Sequence, residues 1–346
     1  MRSMTYSAAV LGASGYAGGE AVRLLDEHPS FAIEYLGAYS RVGTTLGEVH
    51  PHLSGGLRSF GSNDAEDVPD VDIAFLGLPH GASTEVGLAL ADRGTRVVDL
   101  GSDFRMDSAA RYEAAYGSGH PRPDVLGDWA YGLPELFRDS IARARLVASP
   151  GCYPTSALLA TVPLCSAGII RKDAITINAL SGVSGAGRTL REDLLFGSVD
   201  EGVRAYGVTE HRHRPEIEMG IEAATGERAL VTFTPHLVPM QRGILSTVTS
   251  PAVGGATAAD LRRVLADVYD SEPFVDVIDV PPQSRWVVGS NKALVSAFLD
   301  ERTGMAVVLS AIDNLVKGAA GQAVQAANLM VGIEETAGLP VAGWMP

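Results

Sequence analysis

An apolar strand, Ser7-Ala8-Ala9-Val10-Leu11, runs directly into Gly12-Ala13-Ser14-Gly15-Tyr16-Ala17-Gly18-Gly19 and then into a helical stretch, Glu20–Glu27, that stops at His28-Pro29. Glycines at 12, 15 and 18 form a G-x-x-G-x-x-G variant of the dinucleotide fingerprint. Glycine allows the tight turn and lets backbone approach a pyrophosphate at the helix N-terminus. A plain βα turn is the bland alternative, but the placement between a first strand and a first helix favours nucleotide binding. Gly12, Ala13, Ser14, Gly15, Tyr16, Ala17 and Gly18 are therefore predicted cofactor contacts. Further strands at 71–77 and 95–100, with a helix from about Ser83 to Asp92, extend the alternation into a doubly wound parallel sheet.

The second strand, Phe31–Gly37, leads to Ala38-Tyr39-Ser40-Arg41. An NAD site usually places an acid at this strand end to hold the ribose 2′-hydroxyl. Here Glu34 lies mid-strand, too early for that role, while Ser40 and Arg41 suit a 2′-phosphate. NADP(H) is expected over NAD(H), with a solvated loop charge as the other reading of Arg41. Ligands on such sheets sit at the carboxyl ends of strands, which brings in Leu78-Pro79-His80-Gly81, Gly101 to Arg105, and Cys152.

Cys152 lies in Ser149-Pro150-Gly151-Cys152-Tyr153-Pro154-Thr155, between a short apolar strand, Ala144–Ala148, and a helical stretch with Thr155 or Ser156 as the expected N-cap. A helix N-terminus favours thiolate over thiol, so Cys152 is the candidate nucleophile. The alternative is a cysteine packed as a small hydrophobe. That description suits Cys165, in Val162-Pro163-Leu164-Cys165-Ser166.

With 346 residues and 46% hydrophobic content, the chain has room for two cores. A formal net charge of −14 argues against sequence-independent nucleic-acid binding. Two cysteines give no disulfide framework and fit a reducing compartment. The absence of a membrane-length apolar run or a signal-peptide core leads to an expected cytoplasmic location, with no membrane partner.

Beyond Cys152 the texture changes. Strand candidates at 174–180, 230–239, 243–249, 275–280, 295–299 and 305–312 outnumber helices, which predicts a second α+β domain with a mixed or antiparallel sheet. The expected division is a nucleotide domain over 1–150, completed by a C-terminal helical region over 314–346, and a second domain over 151–313. A thiolate needs a proton shuttle. A helix is expected to begin near Val208; His211 and His213 lie two apart in Glu210-His211-Arg212-His213, and His236 is a rival after a strand. As metal ligands the pair lacks an evident third partner. Arg105 and Arg188 offer forks for an anionic substrate, although Arg105 has Asp103 and Asp107 as neighbours to pair with. A dinucleotide and a thiolate at one set of strand ends suit reduction of an acyl phosphate through a thioester.

These segments together resemble the N-acetyl-γ-glutamyl-phosphate reductase family, which is related to aspartate-semialdehyde dehydrogenase. The resemblance runs from Gly12 almost to the C-terminus through Leu78-Pro79-His80-Gly81, Asp103-Phe104-Arg105, Pro150-Gly151-Cys152-Tyr153-Pro154-Thr155, Ser181 to Arg188, His211-Arg212-His213 and Thr234 to Met240. It implies a Rossmann-type domain plus a substrate and oligomerisation domain, NADP(H), and a homodimer or homotetramer. It implies reversible reduction of N-acetyl-γ-glutamyl phosphate to the semialdehyde and phosphate, in arginine biosynthesis. Cys152 would be the nucleophile and His211 the base, with His213 as its competitor. Leu78, Pro79, Gly182, Ser184, Gly185 and Asn314 would join the cofactor contacts. Ser181, Arg105, Arg188, His213 and Glu216 would hold the substrate. A homologous reductase of a one-carbon-longer aminoadipyl phosphate is the alternative within the family. A cysteine hydrolase, which has no use for the glycine turn, and a non-catalytic redox sensor, which has none for the arginines, are the competing classes.

Overall fold

The computed structural model describes residues 5–53 and 55–345. Its elements begin β1 (Tyr6–Leu11), α1 (Tyr16–Asp26), β2 (Phe31–Leu36), α2 (Leu46–Val49), β3 (Ile73–Leu76), α3 (Thr84–Asp92), β4 (Arg96–Asp99) and α4 (Ala109–Tyr116). Next come β5 (Ala130–Tyr131), α5 (Pro134–Arg143), β6 (Leu146–Ala148), α6 (Cys152–Ser166), β7 (Ile175–Ser181), α7 (Phe196–Val199), β8 (Arg204–Ala205) and α8 (His213–Thr225). The chain ends with β9 (Val231–Leu237), β10 (Ile244–Pro251), α9 (Ala258–Tyr269), β11 (Val275–Val277), β12 (Ala293–Asp300), β13 (Met305–Ile312), a π-helical stretch over Val316–Ala320, and α10 (Gly321–Met330). Two compact units result. One takes the residues up to Ala109, Gly119–Pro150 and Ala319–Leu339; the other takes Ala110–Ser118, Gly151–Gly318 and the residues from Pro340 on.

The first unit holds a six-stranded parallel sheet in the order β2-β1-β3-β4-β6-β5. Its central strands are continuous apolar runs: all four residues of β3 are buried, as parallel strands covered on both faces require. The β1–α1 turn explains its own glycines. Gly12 has φ +72°, and a β-carbon at 12 or 18 would run into the Gly77 or Gly12 carbonyl. The turn thus packs directly on the end of β3. Helix α1 buries Ala21, Val22, Leu24 and Leu25. Alanines 323, 326 and 327 let α10 lie close to α1 and α5, and His28 Nε2 meets Asn328 Oδ1 at 3.1 Å.

The second unit holds a seven-stranded mixed sheet, β11-β12-β13-β10-β7-β9-β8. The β7–β9 and β11–β12 pairs are parallel and the rest antiparallel. Period-two burial along β10 marks a sheet packed on one face, with Ile244, Ser246, Val248 and Ser250 inward. Helices α6 and α9 pack on the sheet, and α8 on α6.

Three local readings differ. Helix α6 begins at Cys152 with Gly151 as N-cap, earlier than the expected Thr155 or Ser156. Pro154 is tolerated because first-turn N–H groups have no intrahelical partner. Helix α8 begins at His213 rather than near Val208, after a turn in which Thr209 has φ +64°. Helix α9 is not among the expected elements, although Leu261, Val264, Leu265, Val268 and Tyr269 recur at helical spacing; it opens with a capping box between Thr257 and Asp260. Among the described residues no helix is long and apolar enough to cross a membrane.

Candidate active site

In the second unit, Cys152 is the first residue of α6, a helix buried on nearly every side, which holds that end rigidly. Gly151, its N-cap, donates its N–H to Glu216 Oε1 at 2.8 Å. Glu216 is fully buried in the first turn of α8. Tyr153 follows the cysteine, and its hydroxyl meets that of Tyr206 at 2.9 Å. Burial pushes both phenols up, and the charge of Cys152 adds to each, so both remain protonated hydroxyls.

The histidines gather here. The His211 ring lies 5.7 Å from Tyr153, 5.6 Å from Tyr206, 5.3 Å from Phe233 and 4.8 Å from the His213 ring. The His213 ring is 5.9 Å from Tyr153. The backbone N–H of His213 donates to His211 Nδ1 at 3.2 Å, so the proton of a neutral His211 sits on Nε2. Burial first, and the Arg212 charge second, push the His211 pKa down to about 4. It is a neutral imidazole near pH 7, able to donate at Nε2. His236 lies in β9 among Thr232 and Thr234, on the sheet face opposite Phe233, and so away from this aromatic group. Among the described residues no group of three or more histidines, cysteines and acids is assembled as metal ligands would be.

Ser181 ends β7, with its hydroxyl donating to the Gly182 carbonyl at 3.1 Å. The backbone of Gly182 comes so close to Gln241 that a β-carbon would lie 2.7 Å from its carbonyl oxygen. Asn314 Oδ1 accepts from the Gly243 N–H at 2.7 Å, and its Nδ2 donates to Ser184 Oγ at 2.9 Å. Asn314 thereby stitches β10 to the Gly182–Gly185 loop. Arg188 is exposed beyond that loop. Asp313 is a signal the residue pattern did not single out. Fully buried, it accepts from the Gly289 N–H at 2.7 Å and pairs with Arg242 at 3.2 Å.

The first unit places its own predicted residues at strand ends. Gly15 caps α1 with no side-chain bond. A helix start of this kind leaves backbone N–H groups for an anion. Ser40 and Arg41 are exposed just past β2. Leu78 is buried and Pro79 exposed in the turn after β3, which Asp103 ties down. Asp103 accepts from the N–H groups of Gly81 at 2.7 Å, Ser83 at 3.0 Å and Thr84 at 3.1 Å. The Ser83 side chain makes no cap bond to α3, and its hydroxyl donates to Asp99 Oδ1 at 2.8 Å. Arg105 is nearly buried. Its Nε donates to the Ser149 carbonyl and its Nη2 to the Leu100 carbonyl, each at 2.9 Å. The guanidinium therefore braces the ends of β4 and β6.

Two family patterns match the chain: semialdehyde dehydrogenase, NAD binding domain, over residues 7–144, and semialdehyde dehydrogenase, dimerisation domain, over residues 152–314. The chain is 45% identical over 350 residues to the N-acetyl-gamma-glutamyl-phosphate reductase of Heliobacterium modesticaldum, covering 98% of this chain and 99% of that one. It is 46% identical over 352 residues to the protein of that name from Pseudarthrobacter chlorophenolicus, covering 99% and 100%. Among solved structures, it is similar to aspartate semialdehyde dehydrogenase II from Vibrio cholerae, with TM-score 0.74, 20% identity and coverage of 95% and 99%. Aspartate semialdehyde dehydrogenase with NADP from Candida albicans gives TM-score 0.69, 17% identity and coverage of 94% and 98%.

Proposed function

The chain belongs to the N-acetyl-gamma-glutamyl-phosphate reductase family, and from that premise we propose that it reduces N-acetyl-γ-glutamyl phosphate to N-acetylglutamate 5-semialdehyde and phosphate, reversibly, for arginine biosynthesis. The observation that carries the reading is Cys152 at the head of α6, with the His211 ring packed on the neighbouring Tyr153. Cys152 attacks the acyl carbon; a C–S bond forms, the C–O bond to phosphate breaks, and a thioester remains. NADPH, when bound, supplies the hydride that reduces the acyl carbon. His211 donates from Nε2 to the oxygen that gains charge, then takes the proton back as the C–S bond breaks and the aldehyde forms. The balance is acyl phosphate, NADPH and a proton going to aldehyde, NADP⁺ and phosphate.

The chain's residues fit that cofactor. The bare helix start at Gly15 suits a pyrophosphate, and Ser40 with Arg41 suits a 2′-phosphate. Ser181, Arg188 and His213 are proposed to face the substrate, as Arg105 is in addition to its bracing bonds. Gly182, Ser184, Gly185 and Asn314 are proposed to close on the nicotinamide half, and Leu78 with Pro79 on the cofactor. The match of 152–314 to a dimerisation domain supports a homodimer or homotetramer. Neither Cys152 nor Cys165 is in a disulfide, in keeping with a reducing cytoplasm.

The test is phosphate-dependent reduction of NADP⁺ by N-acetylglutamate 5-semialdehyde, run beside the aminoadipate analogue. The reading expects a rate that requires phosphate and favours the glutamyl substrate. Turnover without phosphate, or preference for the longer chain, would overturn it.

A further inference from the structure

Helix α8 meets α6 along one face. His213, Glu216 and Gly220 stand at spacings of three and four, so they share a side of α8. The His213 ring lies 5.9 Å from Tyr153, the residue after the nucleophile. Glu216 Oε1 takes the Gly151 N–H at 2.8 Å, the residue before it. At Gly220 a β-carbon would lie 2.5 Å from Leu158 Cδ1, so the helices touch there with no room for a side chain. The carboxylate is fully buried, and its bond to Gly151 fixes the N-cap from which Cys152 projects.

We propose that Glu216 is a positioning residue for Cys152: its carboxylate oxygen, held on α8, sets the α6 N-cap and thereby couples the histidine-bearing turn to the thiol. A helix N-terminus aims a thiol only if the first turn is fixed. Gly151, the N-cap of α6, has no side chain to make a capping bond; within the helix its carbonyl takes the Thr155 N–H at 2.9 Å and the Thr155 hydroxyl at 3.0 Å, while its own N–H is held from another element. Glu216 supplies that acceptor from 65 residues away. The same turn of α8 carries His213, whose N–H orients His211. Displacing this one helix face would therefore misplace nucleophile and proton donor together. The inference deepens the reductase reading and rests on Cys152 being its nucleophile.

The test compares Glu216→Ala, Glu216→Gln and Gly220→Ala in the full chain. Alkylation of Cys152 by iodoacetamide is measured from pH 5 to 9 without substrate, and kcat and KM in the reductase assay. Misplacement by about 1 Å can cost on the order of 100-fold, so Glu216→Ala is expected to lower kcat by roughly that factor. Its alkylation should slow as well, with the substrate KM little changed. Glutamine keeps the accepting oxygen and should restore both rates to within a few-fold. Gly220→Ala, which crowds the Leu158 side chain of α6 without touching the carboxylate, should slow alkylation too. If the reagent meets Cys152 at the wild-type rate in Glu216→Ala while the substrate KM rises, Glu216 is a substrate contact and the proposal fails. It also fails if glutamine rescues nothing. Because alkylation needs no substrate, these outcomes stand even if the wild type reduces a different acyl phosphate.

Discussion

Gly318 is packed against Cys152: a β-carbon at position 318 would lie 2.8 Å from Cys152 Cβ and 3.2 Å from its Cα. Gly318 belongs to the π-helical stretch Val316–Ala320, and its N–H donates to the Asp313 carbonyl at 2.9 Å. Both contacts are with parts of the fold that cannot swing away, so a methyl group there must displace the nucleophile. Gly318→Ala is expected to fold, to bind NADPH, and to lose roughly 100-fold in kcat, the cost of about 1 Å at a reacting atom. Steady-state kinetics beside a thermal melt check this. Unchanged kcat in a stable variant would show that the thiol has room to spare.

Asp99 ends β4 with no exposure. Burial first, and the Asp103 charge second, raise its pKa to about 7, and its Oδ2 has no hydrogen-bond partner among the described residues. In the unfolded chain the carboxyl ionises near 3.8. Between those values the folded state holds the extra proton. The stability this provides is full below 3.8 and lost as pH rises through about 7. One proton is worth up to about 1.4 kcal/mol per pH unit. Asp99→Asn keeps an oxygen for the Ser83 and Gly101 donors and never ionises. Denaturant midpoints at pH 5.5 and 8 should show wild type losing stability relative to Asp99→Asn at the higher pH. Parallel curves would contradict a buried acid.

His211, with its pKa pushed down to about 4, carries no charge at neutral pH. The unfolded histidine protonates near 6.5, so between 6.5 and about 4 the unfolded chain binds the extra proton. Stability from this group is therefore lost as pH falls through that window. The kinetic counterpart is sharper. If His211 acts as neutral donor from Nε2, the acid limb of kcat should not break near 6.5, and nitrogen NMR should find the proton on Nε2. A break near 6.5 that disappears in His211→Asn would assign it an ordinary base. His211→Asn should lower kcat by roughly 10²–10⁴-fold with NADPH affinity retained.

Arg41 is exposed just past β2, where no acid stands to hold a ribose hydroxyl. A charge-assisted contact with a partly solvated phosphate is worth about 1.5–3 kcal/mol, or one to two decades in affinity. Arg41→Ala should weaken NADPH by about that factor and leave NADH nearly unchanged. The ratio of the two dissociation constants decides. Equal weakening of both would assign Arg41 to the adenosine or to the loop.

Much of this was legible in the residues because strand ends announce themselves. Apolar runs such as Ile73–Leu76 end in glycine or proline, and each such end proved to be a loop of the first unit. The glycine turn was legible too, but for a second reason: Gly12 and Gly18 are needed by the packing of the turn on Gly77 and on itself, before any nucleotide is considered. The rest depends on contacts far apart in sequence. Nothing local joins Gly151 to Glu216 across 65 residues, Tyr153 to Tyr206 across 53, or Arg105 to Ser149 across 44. The aspartates beside Arg105 in sequence say nothing of the two strand-end carbonyls that its guanidinium also holds. The start of α6 was hidden by Pro154, which reads as a helix stop when it is in fact a first-turn residue.

Cys152 and Cys165 share a helix but differ in surroundings, since Cys165 is fully buried and burial pushes its thiol up to about 12. Iodoacetamide should therefore label Cys152 well before Cys165. The central claim is that Cys152 carries the acyl group, and intact-protein and peptide mass spectrometry tests it most directly. The enzyme is mixed with N-acetylglutamate 5-semialdehyde and NADP⁺ while phosphate is withheld, so that the thioester has no acceptor. The account predicts an N-acetylglutamyl adduct on the Cys152 peptide that disappears when phosphate is added and never forms in Cys152→Ser. An adduct on another residue, or full phosphate-dependent turnover in Cys152→Ser, would contradict it.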